Sequence, residues 1–439
     1  MAGTAAPTSV GAGRVADPGL LGACVHCGLC LNACPTYLEL GTEADSPRGR
    51  IHLIRALEDG TMGLDAEVAR HLDLCLGCRA CESACPSGVR YGRIIEEARA
   101  YVERAAPRSW TTRLRQRLVL ATFPYRRRVR ALLALGDLAR ALGLWGLVTR
   151  WVDGAELLPA NRDARLAGAF FPARDGEQLR VGLLTGCVGG ELFGGVNDAA
   201  LRVLTRSGAA VVVPPDQGCC GALHLHSGNP DGARALARRI IDVFPAELDA
   251  IVVTAAGCGS ALKEYGELLG DDPAYRERAQ RFASRVRDIT ELLDAIGAAP
   301  PAHSPPRRVA YHDACHLVHA QGIREAPRRL LAGIPNLELV ELPESDADEY
   351  WATRPRGSQL SGATSFQSRV LANRAALVAR RAATEKRWAD GDVPRPAQWR
   401  GFRIVPSAIE FWTHKDDRLH HRELFTRRGR VWRASLLEP

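Results

Sequence analysis

Eight cysteines in the first hundred residues fall into two runs with one spacing. "CVHCGLCLNACP" places Cys24, Cys27, Cys30 and Cys34 as C-x2-C-x2-C-x3-C-P, and "CLGCRACESACP" repeats the order with Cys75, Cys78, Cys81 and Cys85. Thiolates two residues apart wrap three irons of a cubane, while a fourth cysteine ahead of proline reaches the other cluster of a two-cluster ferredoxin. One [4Fe–4S] cluster is therefore expected on Cys24, Cys27, Cys30 and Cys85, and a second on Cys75, Cys78, Cys81 and Cys34. Structural zinc is the alternative, but it prefers paired C-x2-C units from separate hairpins, which four cysteines in one run fit poorly.

Four further cysteines follow short apolar segments. "QLRVGLLTGCVGG" reads as a strand ending in a glycine turn with Cys187 just past it, and "LDAIVVTAAGCGSALKEY" repeats this with Cys258. "AAVVVPPDQGCCGALHLHSG" adds adjacent Cys219 and Cys220, and "RRVAYHDACHLVHAQGIREAPRRLL" reads as another strand before Cys315. Strands alternating with helices imply a parallel α/β sheet, whose sites lie beyond the carboxyl ends of the strands. A helix N-terminus there favours thiolate, the metal-binding form, so Cys187, Cys219, Cys220 and Cys258 are candidates for a redox or cluster site. Singly, each could equally be a small buried hydrophobe. His224, His226, His312 and His316 are candidates to tune or gate that site, or ordinary structural histidines.

The elements that position the two runs are helical. In "SPRGRIHLIRALEDG", Ser46 and Pro47 start a helix, Ile51, Leu53, Ile54 and Leu57 share a face, and Gly60 ends it. Arg48 and Arg50 in this helix either approach a cluster and raise its potential or belong to a solvated helix start. Between residues 107 and 158, leucine, valine and alanine recur every three or four positions among many arginines, which predicts two helices broken at Pro124. Such a connector suits an acidic membrane surface or a partner subunit, or it packs on its own domain and exposes its arginines.

The length of 439 residues suits about three domains of ~150 residues. The net charge of +8 is uneven, because residues 351–439 carry 18 Lys+Arg against 8 Asp+Glu. Nucleic-acid binding is not expected, since no basic face with stacking aromatics is evident. No basic segment leads into an apolar run at the start, and no stretch reaches 18 uninterrupted apolar residues. A cytoplasmic protein is expected, peripheral at most to the inner face of the membrane, with its cysteines as metal or redox ligands rather than disulfides.

The motifs "CVHCGLCLNACPTYLELGTEADSPRGRIHLIRALEDG", "HLDLCLGCRACESACPSGVRYG", "GCCGALHLHSG" and "YHDACHLVHAQGIREAPRRLL" resemble the iron–sulfur subunit of glycolate oxidase over about residues 18–346. That resemblance implies a two-cluster ferredoxin domain joined to a pair of cysteine-rich "CCG" domains. It also implies flavoprotein partner subunits that oxidise a 2-hydroxy acid and pass electrons through this chain to a membrane acceptor. The chain departs from the family after Cys315, where the second CCG half breaks off in "ELPESDADEYWATRPRG".

Beyond that junction, "YWATRPRGSQLSGATSFQS", "VPRPAQWRGFRIVPSAIEFW" and "DRLHHRELFTRRGRVWRASLLEP" resemble the C-terminal part of pyridoxamine 5'-phosphate oxidase, an FMN enzyme with a split β-barrel. The resemblance assigns the substrate phosphate to Tyr350, Arg354 and Ser358, the catalytic pair to Arg418 and His420, and FMN contacts to Gln367, Ser368, Trp412 and Arg422. His421 replaces the family's usual Asp. The family's N-terminal part is missing, so a closed barrel and intact oxidase activity are not expected from this segment alone.

The expected architecture is thus multidomain. An α-helical dicluster ferredoxin domain spans 1–106, a basic helical connector 107–172, and an α/β cysteine-rich (CCG) domain with a truncated second half 173–346. A partial split β-barrel spans 347–439. The leading function is iron–sulfur electron transfer. FMN-dependent pyridoxamine-phosphate oxidation through the tail and a non-functional junction product are the alternatives.

Overall fold

In the computed structural model, Ser46 starts helix α1 (Pro47–Glu58) by accepting the Gly49 amide hydrogen at 2.9 Å, with Pro47 in the first turn. The structure describes residues 13–106, 108–151, 168–174, 176–301, 311, 313–335, 337, 351–352, 356–364, 374–389, 391–395, 408–413, 421–428 and 431–437. Ile51, Ile54 and Leu57 recur at helical spacing and are buried, each worth roughly 1.5–3 kcal/mol when fully covered. Helix α2 (Ala66–Asp73), capped by Asp65, the short α3 (Ala80–Ser83) and the long α4 (Tyr91–Ala105) complete the helical module. Leu72, Ile94, Ile95, Ala98 and Val102 fill its core with α1.

The connector forms three helices: α5 (Trp110–Thr122), α6 (Arg126–Ala141) and α7 (Trp145–Trp151). The break at Pro124 lies where it is predicted, and a second break after Ala141 divides the expected second helix. Val129 and Leu133 are buried on α6, and Arg126 and Arg130 both donate to the buried Glu191 carboxylate at 3.2 Å. Part of the basic connector therefore packs on its own chain.

A five-stranded sheet follows in the order β1-β3-β2-β4-β5, formed by β1 (Phe170–Phe171), β2 (Leu179–Leu184), β3 (Ala209–Val212), β4 (Ala250–Val253) and β5 (Val286–Asp288). Central β2 runs parallel to both neighbours, with Val181 opposite Val211 on one side and Ala250 on the other. Val181, Leu183, Val211, Ile251 and Val252 are fully buried, as in a parallel sheet covered on both faces. Helices α8 (Gly194–Arg206), α9 (Ala222–His226), α10 (Pro230–Val243), α11 (Ala256–Lys263) and α12 (Arg276–Arg285) alternate with the strands. A π-helical turn, His316–Ala320, follows Cys315. The strand expected just before Cys315 lies outside the described residues.

The chain divides into two compact units, Met1–Ala299 with Asp313–Pro327, and Pro300–His312 with Arg328–Pro439. In the second, the Trp351 indole donates to the Val393 carbonyl at 2.7 Å, and Trp351, Leu360 and Val393 are buried together. Its strands β6 (Ala408–Thr413), β7 (His421–Arg428) and β8 (Val431–Leu437) form an antiparallel meander. Among the described residues this sheet is three-stranded and open, so the expected split barrel is represented only by a meander.

Candidate iron–sulfur centres

The two cysteine runs share one backbone path. In the first, His26 (φ 54°) and Gly28 (φ 79°) flank Cys27 in the left-handed region. In the second, Gly77 (φ 65°) and Arg79 (φ 61°) flank Cys78 in the same way. Wrapping three thiols around one centre thus needs two left-handed residues, and each run spends a glycine on one of them. The non-glycine at the other position costs about 1–2 kcal/mol. Arg79 offsets that cost through ion pairs with Glu82 at 2.9 Å and with Glu264.

Cys24, Cys27 and Cys30 line one cleft together with Cys85 from the other run, Arg48 and Tyr91. The cleft holds about 400 Å³ of atom-free space, open solvent at its mouth included. Arg48 is tied to Glu43 at 2.8 Å and donates to the His26 carbonyl at 3.2 Å. The Cys30 thiol is pushed up to about 12, first by burial and then by neighbouring Cys27 and Cys24. Burial, followed by the charge of Arg55, lowers the His26 pKa.

The second cleft repeats the exchange. Cys75, Cys78 and Cys81 line it with Cys34, Arg50, Arg79 and Tyr91 around about 290 Å³ of space, counted in the same way. Arg50 is fully buried, so the solvated reading of its position does not hold. Its guanidinium donates to the His71 carbonyl at 2.6 Å, the Thr36 hydroxyl at 3.0 Å and Asp45 at 3.4 Å. Burial raises the Cys78 and Cys81 thiols above their ordinary range. Tyr91 and Cys81 wall both clefts, and the Tyr91 hydroxyl lies 3.7 Å from the Cys75 sulfur.

All thirteen cysteines are free thiols. Among the described residues, no three Cys, His, Asp or Glu side chains are placed to hold a single metal ion. A cubane spreads its four ligands over four irons, so thiols set around a cleft suit it better than they suit one tetrahedral zinc. Buried thiols of raised pKa must lose their protons to bind iron, which couples cluster loading to pH.

Because β3, β2 and β4 are neighbours, the loops after them deliver Cys219, Cys220, Cys187 and Cys258 to one place. The four thiols neighbour one another in the series Cys187, Cys219, Cys220 and Cys258, and for each of the first three the next thiol and burial both push the pKa up. The Cys187 thiol is raised above its ordinary value by neighbouring Cys219 and then by burial. The Gly221 amide donates to the Cys219 sulfur at 3.4 Å, and the buried Tyr265 hydroxyl donates to the Cys220 carbonyl at 2.7 Å. Cys315 is exposed and stands outside this series.

A polar seam joins the helical module to the cysteine-rich sheet. Arg79 meets Glu264, and Glu267 receives Arg90 at 2.6 Å and Arg93 at 2.9 Å. His226 pairs with Glu96 at 3.1 Å, its ring lies 5.7 Å from that of His316, and His319 bonds to Ser83 at 2.9 Å. Burial disfavours the charge on Arg79, but Glu264 and Glu82 more than reverse this and raise its pKa. His224 is buried, with Nδ1 3.0 Å from the Asn229 amide. Sequence reasoning missed Tyr91, Arg79, Glu264 and Glu267; only Arg79, inside a cysteine run, carried any signal.

Of the tail candidates, Tyr350, Arg354, Gln367, Ser368, Arg418 and His420 lie outside the described residues, as does His312. Ser358 falls in helix α13 (Arg356–Thr364). The β6–β7 register sets Trp412 directly opposite Arg422.

Paired cysteine clefts on a helical module, beside a parallel sheet with a four-thiol site, define an iron–sulfur electron-transfer protein. Residues 21–89 match the 4Fe-4S dicluster domain, and residues 181–263 and 309–350 match the cysteine-rich domain. Residues 399–439 match the pyridoxine 5'-phosphate oxidase C-terminal dimerisation region. A probable glycolate oxidase iron–sulfur subunit of Bacillus subtilis is 37% identical over 349 residues, covering 75% of this chain and 79% of that protein. The glycolate oxidase iron–sulfur subunit of Escherichia coli is 35% identical, covering 76% of this chain and 82% of its own. Lactate utilization protein A of Geobacillus thermodenitrificans is 31% identical over 168 residues, covering 38% of this chain and 70% of that protein. PhzG of Burkholderia lata is 34% identical over 23% of this chain and 50% of its own, with a TM-score of 0.19. The chain belongs to the family of glycolate oxidase iron–sulfur subunits.

Proposed function

We propose that this chain is the electron-transfer subunit of a glycolate-oxidase-like complex, receiving electrons from a flavoprotein 2-hydroxy-acid dehydrogenase and delivering them to an acceptor at the membrane. The observation that carries the reading is the exchange of fourth cysteines, with Cys85 in the cleft of the first run and Cys34 in that of the second. On this reading, Cys24, Cys27, Cys30 and Cys85 hold one [4Fe–4S] cluster, and Cys75, Cys78, Cys81 and Cys34 another. Cys187, Cys219, Cys220 and Cys258 hold a further centre. When bound, such clusters take up and release single electrons. The chain's own residues position and tune them: Arg48 and Arg50 bring positive charge to one cleft each, and the seam through Glu264 and Glu267 fixes the second cleft against the cysteine-rich domain.

The test is anaerobic purification followed by iron and sulfide analysis, dithionite reduction and electron paramagnetic resonance. Cubane-type signals, and their reduction by glycolate once flavoprotein subunits are added, support the reading. Zinc in place of iron, or iron signals that no flavoprotein partner reduces, would overturn it.

FMN binding by the tail has narrower support, namely the facing positions of Trp412 and Arg422 and the matched dimerisation region. Quenching of FMN fluorescence at micromolar protein supports it. Unchanged emission removes it.

A further inference from the structure

The connector carries ten arginines and one acid, Asp137, between residues 107 and 151. That acid is already engaged by Arg140 at 3.2 Å. Some arginines serve the fold, since Arg126 and Arg130 hold Glu191, and Arg108 meets Asp73 at 3.0 Å. Arg113, Arg117 and Arg127 are exposed.

The apolar side chains of the same helices are the unusual feature. Helix α6 buries Val129 and Leu133, yet Leu135 and Leu138 on it, and Leu142 at its C-cap, are 64%, 54% and 62% exposed. At 3.6 residues per turn, these three share the face opposite Val129 and Leu133. Helix α5 has a matching stripe at i, i+4 and i+8, where Trp110, Leu114 and Leu118 are 74%, 47% and 58% exposed. Apolar stripes on the outward face of helices, edged by arginine, cannot be explained by the core they turn away from. Exposed apolar faces of this kind mark interaction sites.

We propose that the outward stripes of α5 and α6 seat on a lipid bilayer carrying anionic headgroups, with the leucines and Trp110 entering the interface and the arginines meeting lipid phosphate. Charge selects this occupant. A second copy of the chain would bring an equally basic connector to the same surface, so self-association through it is opposed by like charge. An anionic bilayer offers both the apolar layer and the negative charge that the stripes present. The inference rests on the reading that electrons leave this chain at a membrane, and it assigns the docking element.

Full-length, iron-loaded protein is mixed with vesicles of phosphatidylcholine alone, or with about three parts in ten phosphatidylglycerol, and sedimented. Binding at least about tenfold stronger to the anionic vesicles is expected, weakening as NaCl rises from about 0.1 M to about 1 M. The triple variant Leu135→Ser, Leu138→Ser, Leu142→Ser removes only exposed side chains and is expected to lower partitioning about tenfold or more, with iron content unchanged. Equal binding to neutral and anionic vesicles, or full binding by the triple variant, overturns the proposal. So does a dimer, or a complex with an acidic protein partner, that the triple variant abolishes while wild type ignores vesicles. Iron content and the dithionite-reduced signals are read on the same samples. Their loss with vesicle binding intact sinks the electron-transfer reading and leaves the docking assignment standing.

Discussion

Arg50 donates to the Thr36 hydroxyl at 3.0 Å, and that hydroxyl lies 3.3 Å from the Cys34 sulfur, so a fully buried cation is held one side chain away from a candidate cluster ligand. Asp45 completes the arrangement by accepting from Arg50 at 3.4 Å and facing His71 Nδ1 at 2.8 Å.

Arg50→Ala is predicted to cost about 3–5 kcal/mol, because it leaves buried Asp45 with His71 in place of a permanent cation and takes the donor from the His71 carbonyl and the Thr36 hydroxyl. Arg50→Lys keeps the charge but loses the fork, and should recover only part of this. Thermal unfolding of the two variants checks the order. Equal midpoints for Arg50→Ala and wild type would falsify it.

The exchanged fourth cysteines yield a cross-over prediction. Cys34→Ser should disturb the spectroscopic signal that Cys75→Ser disturbs, and Cys85→Ser should disturb the one lost in Cys24→Ser. Electron paramagnetic resonance of the four single variants decides this. If Cys34→Ser instead pairs with Cys24→Ser, each run holds its own cluster.

Glu264 and Glu267 separate half-buried from exposed ion pairing at the seam. Glu267 is 40% exposed, so Glu267→Gln should cost less than about 1 kcal/mol despite its two arginines. Burial, partly countered by Arg79, raises the pKa of Glu264. Glu264→Ala should be the more damaging change, costing about 2–3 kcal/mol, since it leaves Arg79 half-paired in a left-handed conformation. Limited proteolysis between the helical module and the sheet measures the difference. A larger effect from Glu267→Gln refutes it.

His224 and His316 both have pKa values lowered by burial, so the folded chain takes up their protons less readily than the unfolded one. Their contribution is fully present above the ordinary histidine pKa of about 6.5 and is lost as pH falls through the lowered folded values. Wild type should therefore lose denaturant resistance between about pH 7.5 and about pH 5.5, and His224→Gln should lose less. Identical losses in the two proteins would reject the assignment.

Much of this was legible in the letters. Spacing alone placed the eight ferredoxin-type cysteines in two groups, and Ser46-Pro47 marked a helix start that the structure shows. Apolar runs before Cys187, Cys219 and Cys258 revealed strands, because a parallel strand buried on both faces has few polar positions. What stayed hidden depends on tertiary packing. Nothing local tells that Arg50 is buried while Arg48, two residues away, reaches the other cleft, or that Glu264 and Glu267 meet arginines some 180 residues earlier. For the tail, the resemblance implies a partial split barrel, and the described residues show a three-stranded meander of it.

Tyr91 and Cys81 stand at the wall common to the two clefts. On the proposed two-cluster reading, a chemical change made there reaches both clefts at once, so the two reduction potentials should drift together rather than be set one by one. On that reading the two centres would act less like a row of separate stepping stones than like a tandem pair sharing one partition, so that tuning one for a new electron donor would tune the other as well.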